Sequence, residues 1–138
     1  MSKLNAVLAA YPGKVKLIFK QFPLEMHSQA AVAAAASVAA GNQGKFWEMH
    51  DILFQHRQKL TVDDLRGYAR GLGLDMARFD KDLTSEQTKK SIVRDMEDGD
   101  KAGVEGTPSV FIDGRKYNGS LNLDAIKPII DGELKKSH

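Results

Sequence analysis

The sequence has no cysteine in its 138 residues. This absence excludes, within the chain, a disulfide bond, a thiolate nucleophile and any zinc or iron–sulfur site with cysteine ligands. No apolar run reaches the roughly 20 residues that a membrane-spanning helix needs. The alanine-rich run at 30–40 includes Ser37 and is too short, and the apolar stretch Leu4–Ala10 is interrupted by Asn5. We therefore predict neither a membrane span nor a targeting peptide, and the compartment stays unknown.

Charge of one sign is also lacking. Twenty basic and eighteen acidic residues are interspersed and give a net charge of +2, which argues against nucleic acid or anionic lipid as a partner. Hydrophobic residues make up 42% of the chain and charged residues 28%, the balance of an ordinary globular domain. We find no repeat, low-complexity linker or composition break, so the sequence predicts a single domain over residues 1–138.

The first third of the chain predicts a helix, a strand and then a second helix. Apolar residues at helical spacing over 3–10 run into the breaker cluster Tyr11-Pro12-Gly13. Residues 15–22 are rich in β-branched and aromatic side chains and stop at Pro23, so they predict a strand. From Glu25 to Ala40 the high alanine content favours a helix with a small-residue surface that neighbouring elements can approach closely.

Helical patterns continue to residue 102 and define a block of four or five helices over 25–102. The stretch 45–59 places large apolar residues on one face. Three helix starts follow from capping chemistry: the Thr-x-x-acid pattern of Thr61 to Asp64, then Asp75, then Thr84 or Ser85. This block is predicted to be an α-helical insertion within the domain.

Residues with high strand propensity occur again only near the C-terminus. Asp113-Gly114 lies between the β-prone runs 109–112 and 115–117, and this dipeptide suits the type I′ turn of a hairpin, which needs positive φ at both central residues. Apolar residues from Leu123 to Leu134 predict a closing helix. Because proline lacks an amide donor, we expect that helix to be kinked or to begin near Pro128.

The groups that could carry chemistry have ordinary structural explanations. His50 and His56 are six residues apart, nearly on opposite helix faces, which does not suit a shared metal ion. The paired aspartates are better explained as helix-start or solvated charges, and the acidic run near residue 98 lacks the order of a calcium loop. No metal site, catalytic residue or cofactor is predicted. These groups are His27, His50, His56, His138, Asp63, Asp64, Asp80, Asp82, Asp95, Glu97, Asp98 and Asp100.

The segment Gly103–Gly114 is the most informative motif. Its glycines are not followed by Gly-Lys-Ser/Thr, so it is not a phosphate loop. Pro108 enters a strand, where it cannot donate to the ladder, and its tight setting makes it a candidate for a cis bond. Taken alone, the motif is equally consistent with simple strand entry and with a functional turn.

At these residues the chain resembles the DsbA-type thiol:disulfide oxidoreductases, which have a thioredoxin fold. The run 103–114 is similar to that family's cis-proline loop and following hairpin, and the resemblance extends in order over essentially the whole chain. The other matching segments are 11–15, 19–24, 27–31, 45–47 and 72–75. The resemblance implies an α/β thioredoxin-like fold with an inserted helical domain at 25–102.

The chain departs from this family in one decisive respect. The family's CxxC pair follows its first strand, and its counterpart here would fall before Met1. We therefore expect an incomplete fold without the first strand, either a truncated product or a form that lacks cysteine. In the family that strand lies between the counterparts of 15–22 and 109–117, so two strand edges would be unpaired. Unpaired edges recruit partners, so either these strands close on each other or a homodimer forms through them.

Functionally, the resemblance implies a domain of a thiol:disulfide oxidoreductase or disulfide isomerase that is redox-inactive as it stands. Gly106, Thr107 and Pro108 match the loop that binds extended peptide substrates in that family. The implied partner is an extended peptide or an unfolded protein, and members of the family are often periplasmic or extracytoplasmic. A chaperone-like, peptide-binding module without cysteine is the alternative. A glutathione-dependent isomerase with a serine nucleophile is disfavoured, because the resemblance aligns Ser2 with the interior of the family's first helix and not with its start.

Overall fold

The computed structural model describes residues 2–23, 29–105 and 109–136. Over these ranges the chain forms seven α-helices and two β-strands. In chain order they are α1 (Ser2–Ala10), α2 (Ala30–Gly41), α3 (Phe46–Gln55), α4 (Val62–Gly71), α5 (Met76–Leu83), α6 (Glu86–Lys101), β1 (Val110–Ile112), β2 (Arg115–Tyr117) and α7 (Leu123–Lys136). None of the described helices is both long and apolar enough to cross a bilayer.

The chain divides into two compact units. The helical unit is Lys20–Glu105, and the terminal unit combines Met1–Phe19 with Gly106–His138. The predicted helical insertion, 25–102, falls inside the first of these ranges. Each unit has its own buried cluster of apolar side chains.

The helical unit is organised around α2, which packs against α3, α4, α5 and α6. Ala36, Ala39 and Ala40 on this helix are completely buried. Because alanine has a short side chain, four helices can approach α2 closely, as the alanine content predicts. Larger residues of the neighbouring helices, among them Phe79 and Leu65, complete the core.

Side-chain caps fix three helix starts in this unit. Thr61 Oγ1 accepts from the amide of Asp64, whose carboxylate accepts in return from the amide of Thr61, which forms a capping box at α4. Asp75 caps α5 through the amide of Arg78, and Ser85 caps α6 through the amide of Thr88. The three predicted starts are confirmed, with Ser85 and not Thr84 as the cap of α6.

The terminal unit combines a hairpin with helices from both ends of the chain. Strands β1 and β2 pair antiparallel, with Val110 opposite Tyr117 and Ile112 opposite Arg115. At the turn both Asp113 (φ +48°) and Gly114 (φ +83°) have positive φ, which confirms the predicted hairpin. The core of the unit joins α1 to α7 through four buried residues: Val7, Tyr11, Ile126 and Ile130.

The strand predicted at 15–22 is not formed. The described sheet contains only β1 and β2, so the predicted closure of the two strand groups on each other does not occur. A strand needs hydrogen bonds to a neighbouring strand, and β propensity alone does not provide them. Instead the amide of Gln21 donates to the carboxylate of Asp95 on α6, at 2.8 Å. The predicted homodimer is not tested by these contacts.

The closing helix begins at Leu123, before Pro128, and so does not begin near that proline as one of the two sequence-based alternatives predicted. The amides of Ala125 and Ile126 both donate to the carbonyl of Asn122, which starts α7 before Pro128. Pro128 therefore lies inside the helix. It removes the hydrogen bond to the carbonyl of Asp124, a residue in the exposed first turn, where water can take the place of the missing donor.

Candidate functional site

The residues predicted to bind substrate, Gly106, Thr107 and Pro108, lie outside the described part of the chain. Their flanks are described. On one side Gly103, two residues after the end of α6, lies in the left-handed region, and the amide of Val104 donates to the carbonyl of Gly99 at 2.9 Å. On the other side β1 begins at Val110. The loop thus runs from a glycine-terminated helix into the first strand of the hairpin.

A polar cluster in the terminal unit joins α7 to the end of α1. The hydroxyl of Tyr11 donates to Asp131 Oδ1 at 2.6 Å, and Lys127 Nζ lies 3.0 Å from Asp131 Oδ2. These two interactions hold the pKa of Asp131 below its usual value. Burial, followed by the hydrogen bond to Asp131, raises the pKa of Tyr11, and the same carboxylate raises the pKa of Lys127. All three shifts favour the forms present at neutral pH, so the cluster stabilises structure and does not prepare a group for proton transfer.

A second polar cluster lies in the helical unit. Lys20 Nζ is 3.0 Å from Asp98 Oδ2 and 3.8 Å from Asp95 Oδ1. The hydrogen bond from Lys20 lowers the pKa of Asp98, and the same bond raises the pKa of Lys20. The acidic run predicted to be a solvated helix end therefore binds the segment that precedes α2.

The two described histidines, His50 and His56, contact different aromatic side chains. His50 is buried on α3, with Trp47 and Phe54 rings at 5.3 and 4.5 Å, and its Nδ1 lies 3.1 Å from Asp51 Oδ1. His56 stacks on Tyr68 at 5.4 Å. Among the described residues no group of three or more histidine, aspartate or glutamate side chains could hold a metal ion. His27 and His138 lie outside the described ranges.

The predicted aspartate pairs occupy structural positions. Asp63 and Asp64 lie in the first turn of α4, where negative charge favours the helix. Asp80 forms a two-pronged ion pair with Arg66, at 2.9 and 3.2 Å, and so joins α5 to α4. Asp82 accepts a hydrogen bond from Asn42. These positions and contacts give both aspartate pairs structural roles.

Comparison with known families decides the relationship of the chain. The sequence model of a family described as thioredoxin matches residues 1–132. The chain belongs to this thioredoxin family. The DsbA-like thioredoxin fold expected from the sequence is confirmed, and the helices and hairpin described above form its α/β architecture.

Solved structures agree with this family. A thioredoxin-like oxidoreductase from Silicibacter pomeroyi DSS-3 superimposes with a TM-score of 0.85 and 25% identity, over 98% of this chain and 77% of that one. The oxidoreductase DsbA from Xylella fastidiosa gives a TM-score of 0.76 over 99% of this chain and 76% of that one. At 20% identity, this second likeness concerns the fold alone.

The curated relatives are much longer proteins. The Na⁺/H⁺ antiporter NhaA 1 of Salinispora arenicola is 40% identical over 117 residues, which are 84% of this chain but 18% of the antiporter. The Na⁺/H⁺ antiporter NhaA of Herminiimonas arsenicoxydans is 36% identical over 112 residues, again 18% of its length. This thioredoxin-like chain therefore spans about a fifth of the curated relatives that it matches.

Sequence reasoning missed the residues that tie the ends of each unit together. Lys127 and Asp131 are four apart on one helix, a spacing that signals an ion pair. Nothing in the sequence shows that Tyr11, 120 residues away, completes that cluster. The same holds for the bond between the Gln21 amide and Asp95, which joins residues 74 positions apart.

Proposed function

We propose that this chain is a thioredoxin-fold domain of the thiol:disulfide oxidoreductase lineage that binds polypeptide but does not itself exchange disulfides. The family match over residues 1–132, combined with the absence of cysteine, carries the proposal. Disulfide exchange requires attack by a thiolate on a disulfide sulfur, and this chain has no thiol. Recognition of an extended peptide is the part of the family's activity that needs no thiol, so it is the function that the resemblance implies for this chain.

The redox part of the proposal is tested with insulin reduction by dithiothreitol. We expect the purified chain to leave the rate of insulin precipitation equal to the rate without protein. A thioredoxin with an intact CxxC pair serves as the positive control. Acceleration by the chain, in a preparation whose intact mass excludes contamination, would contradict this part of the proposal.

The binding part rests on the loop Gly106, Thr107 and Pro108. In the family that this chain resembles, the backbone of the matching loop pairs with an extended substrate, which is a form of strand addition. The described flanks are compatible with that role, because the loop leads directly into strand β1. The ligand class that follows is an extended or unfolded polypeptide without any requirement for a cysteine.

A pair of proline variants tests the loop. Pro108→Ala should weaken binding of a fluorescein-labelled, reduced and carboxymethylated unfolded protein by about tenfold in anisotropy titrations, a typical loss for a central binding residue. Pro12→Ala changes an exposed proline in the turn after α1 and is the matched control. Equal affinity of Pro108→Ala and the unaltered chain, with both folded by circular dichroism, would contradict a binding role for the loop.

A second candidate function is suggested by the antiporter relatives. Their identity to this chain, 40% and 36%, exceeds the 25% found for the thioredoxin-like oxidoreductase. We therefore also propose that this domain acts as an accessory to a Na⁺/H⁺ antiporter. An antibody raised against the chain tests this second proposal in lysates of the source cell. A band several times larger than 15.2 kDa in the membrane fraction supports the accessory role, and a 15.2 kDa band alone contradicts a fused accessory domain.

A further inference from the structure

A shallow groove of about 410 Å³ opens in the terminal unit between the hairpin and residues 128–136 of α7. On one side it is lined by Ile112 and by all three residues of β2. On the other side it is lined by Pro128, Ile129, Gly132, Glu133 and Lys136.

The groove follows the edge of a strand. Successive side chains of a strand point to opposite faces, so a cleft on one face would touch every second residue. Here Arg115, Lys116 and Tyr117, three residues in a row, all line the groove. Because Ile112 of β1, opposite Arg115, also lines it, the groove extends over one face of the hairpin as well as along the backbone edge of β2 that faces away from β1. In the described sheet β2 pairs only with β1, so this edge has no strand beside it among the described residues.

The helical wall of the groove has unusual residues for a helix. Pro128 and Gly132 are four apart, on one face of α7, and both are poor helix formers, costing about 3 and about 1 kcal/mol relative to alanine. A Cβ added at Gly132 would meet no atom within 4 Å. Between them Ile129 is 44% exposed. This wall of the groove therefore has unfilled space at Gly132 and an exposed apolar surface at Ile129.

The charges at the groove have mainly one sign. Arg115, Lys116 and Lys136 are exposed cations, and Glu133 is the one acidic residue that lines the groove in the described part of the chain. Glu133 is within 3.3 Å of Lys136 and so is already neutralised by a neighbour. Arg115 and Lys116 remain available for an acidic ligand, since two adjacent cations favour two carboxylates.

We propose that this groove binds an acidic, extended peptide segment of a partner protein, which adds as a third strand along β2. The backbone of the segment would pair with the edge of β2, its aspartate or glutamate residues would face Arg115 and Lys116, and an apolar residue would contact Ile129. Strand addition of this kind takes its affinity from main-chain hydrogen bonds and its specificity from alternate side chains.

Fluorescence anisotropy with a synthetic probe tests the proposal. The probe is a fluorescein-labelled hexapeptide with the sequence Val-Thr-Asp-Glu-Val-Thr, whose two adjacent acidic residues face opposite sides of a strand, as Arg115 and Lys116 do. Its charge-reversed counterpart replaces both acidic residues with lysine. We expect saturable binding of the acidic probe and at least tenfold weaker binding of the basic one. A version N-methylated at alternate residues keeps the charges but removes backbone donors, so it should lose binding by a similar factor.

Two variants with matched controls locate the site. Gly132→Leu fills the groove without a clash at Cβ and improves helix propensity, and Gly67→Leu makes the same change in α4, also in open space. The double variant R115E/K116E reverses the rim charge, and Lys59→Glu changes an exposed lysine in the other unit. We expect about tenfold weaker binding for the groove variants and unchanged binding for the controls.

Each other outcome overturns the proposal. No binding of the acidic probe up to millimolar concentration, or binding that survives both Gly132→Leu and R115E/K116E, contradicts the groove as the site. Equal binding of the N-methylated probe contradicts strand addition. Because Pro108→Ala probes a different loop, its result does not decide this one. Thermal unfolding of every variant confirms that the fold is retained.

Discussion

The helical unit and the terminal unit are stabilised in different ways. In the described residues the helical unit buries twelve side chains in one cluster around α2, and its helix starts are fixed by caps a few residues away. The terminal unit buries four, and Tyr11 and Asp131, 120 residues apart, hold its two ends together. Local capping signals mark the helix starts of the first unit, whereas the two ends of the second are joined by a contact that forms only when distant segments meet.

The largest expected effect is a cavity in the helical unit. Phe79 is completely buried in that core. Phe79→Ala should lower the free energy of unfolding by about 3 to 5 kcal/mol, through lost burial and the cavity left behind. Urea unfolding followed by circular dichroism at 222 nm measures it. The matched control is Phe54→Ala, at a ring that is 51% exposed and should lose far less. Equal losses for the two variants would mean that the core is not the main source of stability.

A smaller effect is expected at the hairpin turn of the terminal unit. Gly114 has a φ of +83°, where an added Cβ is strained, so Gly114→Ala should cost about 1 to 2 kcal/mol. Gly67→Ala, in α4 with open space around it, should instead stabilise the helical unit by up to about 1 kcal/mol. Hydrogen exchange of the Ile112 and Arg115 amides, the pair that flanks the turn, reports the hairpin directly. Unchanged exchange in Gly114→Ala would show that the turn does not control hairpin stability.

The smallest expected effect is the dependence of stability on acid. The pKa of Asp131 is lowered in the folded chain by Tyr11 and Lys127, and that of Asp98 is lowered by Lys20. An aspartate in the unfolded chain has a pKa of about 3.9, so both interactions stabilise the folded state above that pH. Their contribution is lost as the pH falls from about 4 through the lower pKa of the folded state.

Asparagine variants test the acid dependence of stability in each unit separately. Asp131→Asn and Asp98→Asn should each lower stability at neutral pH and flatten its decline below about pH 4. Asp100→Asn, at an exposed carboxylate in the last turn of α6, is the control. Urea unfolding at several pH values measures the slope. A slope unchanged in both variants would show that other carboxylates govern the acid response.

The contrast between units also explains how far the sequence could predict the structure. Thr61, Asp75 and Ser85 were predicted as helix starts because a cap acts on amides two or three residues away. Asp113-Gly114 predicted the hairpin for the same reason, since the turn depends on the conformations of two adjacent residues. The family resemblance added the thioredoxin fold, which periodicity alone does not specify.

The prediction that failed depended on a distant neighbour. Residues 15–22 have strand composition, but a strand exists only when another strand lies beside it, and propensity does not reveal that neighbour. The groove beside β2 was not predicted either, because its walls come from segments that meet only in the folded chain. The predicted binding residues, Gly106, Thr107 and Pro108, stay a prediction from family resemblance.

The buried alanines of α2 limit how this family member can change over evolutionary time. Ala36, Ala39 and Ala40 have no exposed surface, and the helix that carries them touches four others. An enlarged side chain at any of these positions would displace several helices together, and one compensating substitution could not restore the fit. Random mutagenesis followed by selection for folded protein should therefore recover few survivors at these alanines and many at exposed Ala31.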